Sequence, residues 1–319
     1  MPVTTAPDRG GSSAAPADRL SSLSRSSPRY GERVVEALLL GAALVSILTT
    51  VGIIASLFEG TRAFFGEIRI RDFLLGTTWT PLFANGEFGV LPILSATLRM
   101  TAIAMVVAVP FGLGAALWLS EYASPRARSL GKPVLEVLAG IPTVVYGFFA
   151  LTFVTPNLLR PLFTDIGTFN VLSAGLVIGV LLIPIIASLS EDALSAVPQA
   201  MRDGALALGA TRTNVARKVV LPAALSGVVA SFVLALSRGI GETLIAVIAG
   251  GAIAQNTLDP TLPAQTMTAF IAQAASGDQR TGSLGYNTLF AVGTLLFVIT
   301  LLSNVLSIRL VRRFREVYE

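Results

Sequence analysis

The chain has 319 residues; 53% are hydrophobic, 13% are charged, and the mean hydropathy is +0.73. Soluble domains carry about 25% charged residues, and here the apolar residues come in unbroken blocks rather than amphipathic stripes, so the chain reads as an integral membrane protein. With no Cys and no His, disulfides, thiolate nucleophiles, zinc fingers, His-ligated haem and Ser-His-Asp catalysis are excluded. The net charge of +4 fits a topology signal better than a nucleic-acid surface, so no nucleic-acid partner is expected.

Residues 1–33 are rich in Ser, Pro, Ala and Arg and hold too little apolar surface to repay ordering, which predicts a disordered tail. The run Val34–Phe58 is longer than a signal-peptide core and lacks a small-residue cleavage site, so it reads as an uncleaved first span. Five more runs follow: Leu94–Leu119, Val134–Val154, Val171–Leu189, Ala223–Ile253 and Leu289–Ile308. At about 1.5 Å per residue each can cross a hydrocarbon core of about 30 Å, and lipid forces such runs to be helical. The expected fold is therefore all-α, a polytopic domain over residues 34–319 with six spans and both termini on one side.

Charge identifies that side. Sixteen of the 23 Lys and Arg residues fall in the tail, the second loop, the fourth loop and the C-terminus, against five in the other connections. Those four segments are expected to be cytoplasmic. Among the outer connections, Trp79, Phe83 and Phe88 suit an interfacial layer. Pro142 and Pro184 are expected to kink their spans, and Tyr146 to pack in the core or to line a pathway.

The fourth loop, "MRDGALALGATRTNVARKVVLP" from Met201 to Pro222, is polar between two apolar runs. Pro198 suits a first helical position, and Met201, Ala205 and Leu208 recur at helical spacing to give a short helix one apolar face. Gly209 stands where a left-handed cap ends such a helix, and Thr211 or Thr213 can cap a second one. A plain connecting loop is the alternative that this pattern leaves open.

Asp203-Gly204-Ala205, then Gly209, then Val219, Leu221 and Pro222 resemble the "EAA, three residues, G, nine residues, I-x-L-P" loop of ABC importer permeases, with Asp203 for the usual Glu and Gly204 for the usual Ala. The resemblance implies that this loop, about 191–222, is a coupling helix seated in a groove of an ATPase, with Met201, Asp203, Gly204, Ala205, Leu208 and Gly209 at the contact. "FGVLPILSATL", "LEVLAGIPTVVYGFF" and "LSRGIGETLIAVIAGG" together resemble PstC-type permease subunits of the bacterial phosphate importer, from about Trp79 to the C-terminus, with Thr143 for the usual Ser and Gly239 for the usual Ala.

That resemblance implies a PstA-type permease partner, two copies of a PstB-type ATPase, a periplasmic or lipid-anchored phosphate-binding protein, phosphate as substrate, and residence in the bacterial cytoplasmic membrane. The chain has no G-x-x-x-x-G-K-[ST] motif; "SLGKP" lacks the upstream Gly and the terminal hydroxyl residue. ATP and Mg are therefore expected in the partner ATPase, and no cofactor, metal or catalytic residue in this chain. The same architecture carrying sulfate or molybdate is the nearest alternative. A stand-alone secondary transporter would need inverted repeats or proton-relay carboxylates, and neither is evident.

Two charges lie in the fifth run. Arg238 and Glu242 are four residues apart, so on a continuous helix they share a face and can pair. An unpaired Arg at the bilayer centre costs about 2.5–3.5 kcal/mol on insertion scales. A helix-packing ion pair is one explanation; the other, which the resemblance to "R-G-I-G-E" favours, is that Arg238 meets the phosphate oxyanion while Glu242 holds the guanidinium. Arg99 in the second run either snorkels to the surface or serves transport, and Glu36 is expected to be an interfacial charge.

Overall fold

The computed structural model describes residues 30–83, 86–277 and 279–314. In chain order the helices are α1 (Tyr30–Glu67), α2 (Ile70–Leu75), α3 (Leu91–Leu117), α4 (Pro125–Gly140), α5 (Thr143–Phe149) and α6 (Val171–Ser195). They continue with α7 (Gln199–Ala207), α8 (Arg212–Val215), α9 (Leu221–Ala223), α10 (Leu225–Ile240), α11 (Met267–Ala275) and α12 (Leu284–Phe314). Among the described residues there is no strand, only an isolated antiparallel bridge between Trp79 and Phe88. The expected all-α class holds. Of the expected tail, residues 1–29 lie outside the described residues, while 30–33 already belong to α1.

Two compact units divide the chain, Met1–Ile54 and Ala55–Glu319. The described part of the first is the leading stretch of α1, where Leu38, Leu44 and Leu48 are exposed as a lipid-facing helix requires. In the second unit, the end of α1 runs against α12: the Thr61 and Thr294 hydroxyls are 2.7 Å apart, and Thr61 Oγ1 donates to the Phe290 carbonyl at 3.0 Å. Beside this contact Phe64, Phe73, Trp79 and Phe270 meet edge-on. Trp79 is thereby only 4% exposed, and Phe88 packs against Phe64. The two belong to an aromatic core instead of an interfacial layer; Phe83 alone of the three is exposed.

The centre of the bundle is the parallel packing of α3 on α6. Along α3, Ala96, Met100, Ala104, Ala108, Gly112 and Ala116 recur at every fourth position and are buried. They face Gly175 and Gly179 of α6, whose small-residue spacing lets helix backbones approach in lipid, where packing rather than water drives association. A Cβ added at Gly179 would sit 2.7 Å from Val107 Cβ and 2.9 Å from the Ala104 carbonyl oxygen.

The third and fifth runs are not straight spans. Pro142 has no N–H to donate and holds Ile141 in an extended conformation, so α4 stops and α5 restarts at 85°. The helix over Arg212–Ala223 likewise meets α10 at 72°. Among the described residues four helices are long and apolar enough to cross a membrane, and up to six if each bent pair is one span. Pro184, by contrast, sits inside a continuous α6. Tyr146 packs in the core and donates to the Leu138 carbonyl at 2.9 Å.

Candidate functional site

The fifth run breaks beside its two charges. α10 ends at Ile240, Gly241 caps it, and helical turns resume only at Leu244 and run to Gly250. The expected i, i+4 pair presumed one continuous helix; Glu242 has instead left α10, and no ion pair joins it to Arg238 among the described residues. Glu242 is buried, and the amides of Ile245, Thr243 and Leu244 face its carboxylate, the arrangement of a residue capping the N-terminus of the following turns. Its carbonyl accepts from the Thr268 hydroxyl at 2.9 Å.

Arg238, one turn earlier, is exposed and makes no hydrogen bond among the described residues, yet lies near enough for its charge to act on Glu242. Buried hydroxyls flank the break. Thr97 Oγ1 accepts from the Met267 amide at 2.9 Å, and the Thr266 and Thr268 hydroxyls are 3.1 Å apart. Gly239 brings α10 close to α3 and α6, with room for a Cβ only 3.3 Å from Thr101 Cγ2 and Leu182 Cδ1. A guanidinium with open donors can receive an oxyanion without first giving up a carboxylate partner.

At the far end of the bundle the segment 251–266 folds over the start of α6. The Leu172 amide donates to the Pro260 carbonyl (2.8 Å) and Val171 to Leu262 (3.1 Å), which satisfies amides that a helix N-terminus leaves unpaired. Arg99 is a strut for this segment: its Nη1 donates to the Asp259 carbonyl at 3.1 Å. The Asp259 carboxylate accepts from the Thr261 hydroxyl (2.6 Å) and amide (2.8 Å), which hold its pKa below the usual carboxylate range.

At the opposite end, here the loop end, Pro198 opens α7 and Gly209 takes φ +82, the left-handed conformation expected after that helix. Thr211 Oγ1 accepts from the Asn214 amide at 3.3 Å and caps α8. Met201 and Ala205 pack on a cluster that includes Val197, Val215 and Val220. Leu208 does not complete their face: α7 ends at Ala207, and Leu208, as its cap residue, is 91% exposed. Asp203, held by Gln199 at 3.0 Å, and Gly204 and Gly209 are also exposed. The six expected contact residues thus split, two anchoring α7 to its own chain and four forming a rim.

Two ion-pair groups escaped the sequence reading. Arg202 of α7 pairs with Glu121 at 3.1 Å and donates to the Leu194 carbonyl (2.8 Å) and to that of Val197, so it clamps α7 to the ends of α3 and α6. Glu191 is 1% exposed; it pairs with Lys132 and, at 3.6 Å, with Arg128, and accepts from the Ser195 hydroxyl at 2.9 Å. Glu191 was findable, since it stands four residues after buried Ala187 and three before buried Leu194 on the inner stripe of α6. The Arg202–Glu121 pair, 81 residues apart, leaves no local signal.

Residues 108–316 match the family described as "Binding-protein-dependent transport system inner membrane component". The chain is 34% identical over 268 residues to "Probable ABC transporter permease protein YqgH" of Bacillus subtilis, covering 83% of this chain and 84% of that one. It is 32% identical over 280 residues to "Phosphate transport system permease protein PstC" of Mesorhizobium japonicum, covering 82% and 84%. A chain of a bacterial ABC transporter involved in the import of the acidic polysaccharide alginate has the same fold, with a TM-score of 0.63 at 16% identity over 90% of this chain and 99% of that one. The family match runs from within α3 past the end of α12 and takes in Arg238, Glu242 and the whole loop end; the chain belongs to the binding-protein-dependent transport system inner membrane components, the multi-pass permeases of ABC transporters.

Proposed function

We propose that this chain is the PstC-type permease subunit of an ATP-driven importer that moves inorganic phosphate across the bacterial cytoplasmic membrane. The observation that carries the reading is Arg238, a guanidinium with open donors at a broken helix in the fifth span. Such a charge is costly in lipid, and it becomes useful when a desolvated oxyanion supplies the counter-charge. Phosphate, ahead of sulfate or molybdate, is supported by relatives that carry the phosphate-permease name. Glu242 holds the following helical turns and supplies a nearby negative charge that keeps Arg238 from trapping the anion.

In this reading a PstA-type permease covers the exposed Arg238 face, and a periplasmic or lipid-anchored phosphate-binding protein delivers the substrate. Two PstB-type ATPases bind ATP and Mg. The fourth loop and both termini face the cytoplasm, where the rim of Asp203, Gly204, Leu208 and Gly209 meets an ATPase groove while Met201 and Ala205 anchor the helix behind it.

The test is phosphate uptake normalised to assembled complex, after co-purification has identified the accompanying ATPase and binding protein. Arg238→Gln assembles at the wild-type level and loses uptake, because the amide keeps hydrogen bonding but not charge. Arg238→Lys is also impaired, since a point charge does not reproduce the planar fork. Normal uptake per complex in Arg238→Gln removes the pathway role.

A further inference from the structure

A second cationic site lies at the loop end. Where the end of α3 meets α4, α6, α7 and α8, a cavity of about 350 Å³ is lined by Arg128, Arg202, Arg212, Ser120, Ser195 and Glu121, among others. Three arginines against one glutamate leave two positive charges in excess. The donors are unequally committed. Arg202 is spent on Glu121 and on the carbonyls of Leu194 and Val197. Glu121 is neutralised by that pair and by the Ser120 hydroxyl, which donates to it at 3.0 Å. Arg128 uses Nε on the Leu119 carbonyl (3.0 Å) and Nη2 on the Ser120 carbonyl (2.9 Å), where the last turns of the helix leave carbonyls unpaired, and its Nη1 makes no hydrogen bond among the described residues. Its nearest carboxylate, Glu191, is already held by Lys132. Arg212 is exposed and makes no hydrogen bond or ion pair among the described residues.

We infer that this cavity binds a phosphate-bearing anion, with Arg212 and Arg128 Nη1 as its donors. Guanidinium forks match the oxygen geometry of a phosphoryl group, whereas the lining hydroxyls of Ser120 and Ser195 already donate to Glu121 and Glu191. Two sources share this chemistry: free inorganic phosphate, and the headgroup of an anionic phospholipid at the membrane edge. The site is separate from the one proposed for transport. Arg238 lies roughly 20 Å along α10 from the loop end of that helix, at about 1.5 Å per residue.

The experiment measures binding of radiolabelled inorganic phosphate to the purified complex, without its binding protein, in neutral phosphatidylcholine nanodiscs and in nanodiscs containing phosphatidylglycerol. Wild type, Arg212→Gln and Arg238→Gln are compared. Among the described residues the Arg212 side chain makes no hydrogen bond or ion pair, so its replacement breaks no such bond within this chain, and binding is compared per assembled complex. If free phosphate is the occupant, Arg212→Gln loses a class of sites in both membranes, or weakens it by about tenfold, the effect of one charge-assisted contact, while Arg238→Gln keeps it. If the lipid is the occupant, the phosphate sites appear only in the neutral membrane, and native mass spectrometry finds phosphatidylglycerol retained by wild type but not by Arg212→Gln. Arg238→Gln separates this inference from the transport reading, because its loss of uptake and the retention of the Arg212-dependent sites are independent outcomes. Equal phosphate binding and equal lipid retention in wild type and Arg212→Gln overturn the proposal.

Discussion

Gly209 carries a single physical demand that its sequence position already implied. Its φ of +82 lies where an L side chain is strained, and a Cβ there would meet nothing within 4 Å, so any cost of substitution is backbone strain alone. Such strain is worth about 1–3 kcal/mol. Gly209→Val is expected to leave the spans inserted, to distort the turn between α7 and α8, and to weaken retention of the ATPase by roughly tenfold in co-purification, since about 1.4 kcal/mol corresponds to that factor. Gly209→Asn, which tolerates the left-handed region, retains far more. Wild-type retention and uptake in the Val variant sink the coupling role of this loop. Arg238 and Glu242 teach the opposite lesson. Their spacing was legible, but spacing becomes geometry only if the helix continues, and Gly241 ends α10 between them. The expectation that the two share one continuous helical face therefore fails at the break.

Among the elements, the long helices were legible because apolar length alone dictates them, and the breaks were less so. Pro142 announces the end of α4, whereas Pro184 has the same chemistry and stays within a continuous α6. Whether the proline bends a span depends on what neighbouring helices supply to the freed backbone, which no local pattern encodes. The α3–α6 seam, Gly175-x-x-x-Gly179 against a stripe of Ala, Met and Gly at every fourth position of α3, went unread in the sequence, because both runs are apolar throughout and the stripe does not stand out by hydropathy. It can be tested by volume. Gly179→Leu forces side-chain atoms past Val107 and against the Ala104 carbonyl, which is backbone and cannot swing aside. Overpacking of this kind costs about 1–3 kcal/mol, so the yield of monodisperse protein after detergent extraction and its melting temperature both fall, with Gly179→Ala between it and wild type. Gly204→Ala is the matched control, because a Cβ there meets nothing within 4 Å. If both Gly179 variants melt like wild type, the seam is not a close-packed contact.

For the whole molecule, charge distribution and packing bear on one question, which end faces the cytoplasm. The arginines at the loop end are more than a topology signal: Arg202 and Arg128 satisfy carbonyls at the ends of α3 and α6. A residue used structurally still counts toward orientation, since insertion is decided by charge near the span ends before those bonds form. The far end has few Lys or Arg, and Arg99 there is occupied in bracing Asp259. The chain has no natural cysteine, so single cysteines report orientation without background. Asn85, an outer-loop choice from sequence, lies outside the described residues; Asn256 is exposed in the far-end segment, and Ser129 and Thr211 are exposed at the loop end. In intact cells an impermeant maleimide is expected to label Asn256→Cys and to label Ser129→Cys and Thr211→Cys only after permeabilisation. Because all three positions are exposed, poor labelling reflects the membrane rather than burial in the fold. Labelling of Thr211→Cys from outside reverses the orientation, and with it removes the fourth loop from any cytoplasmic ATPase and the Arg212 cavity from the inner leaflet.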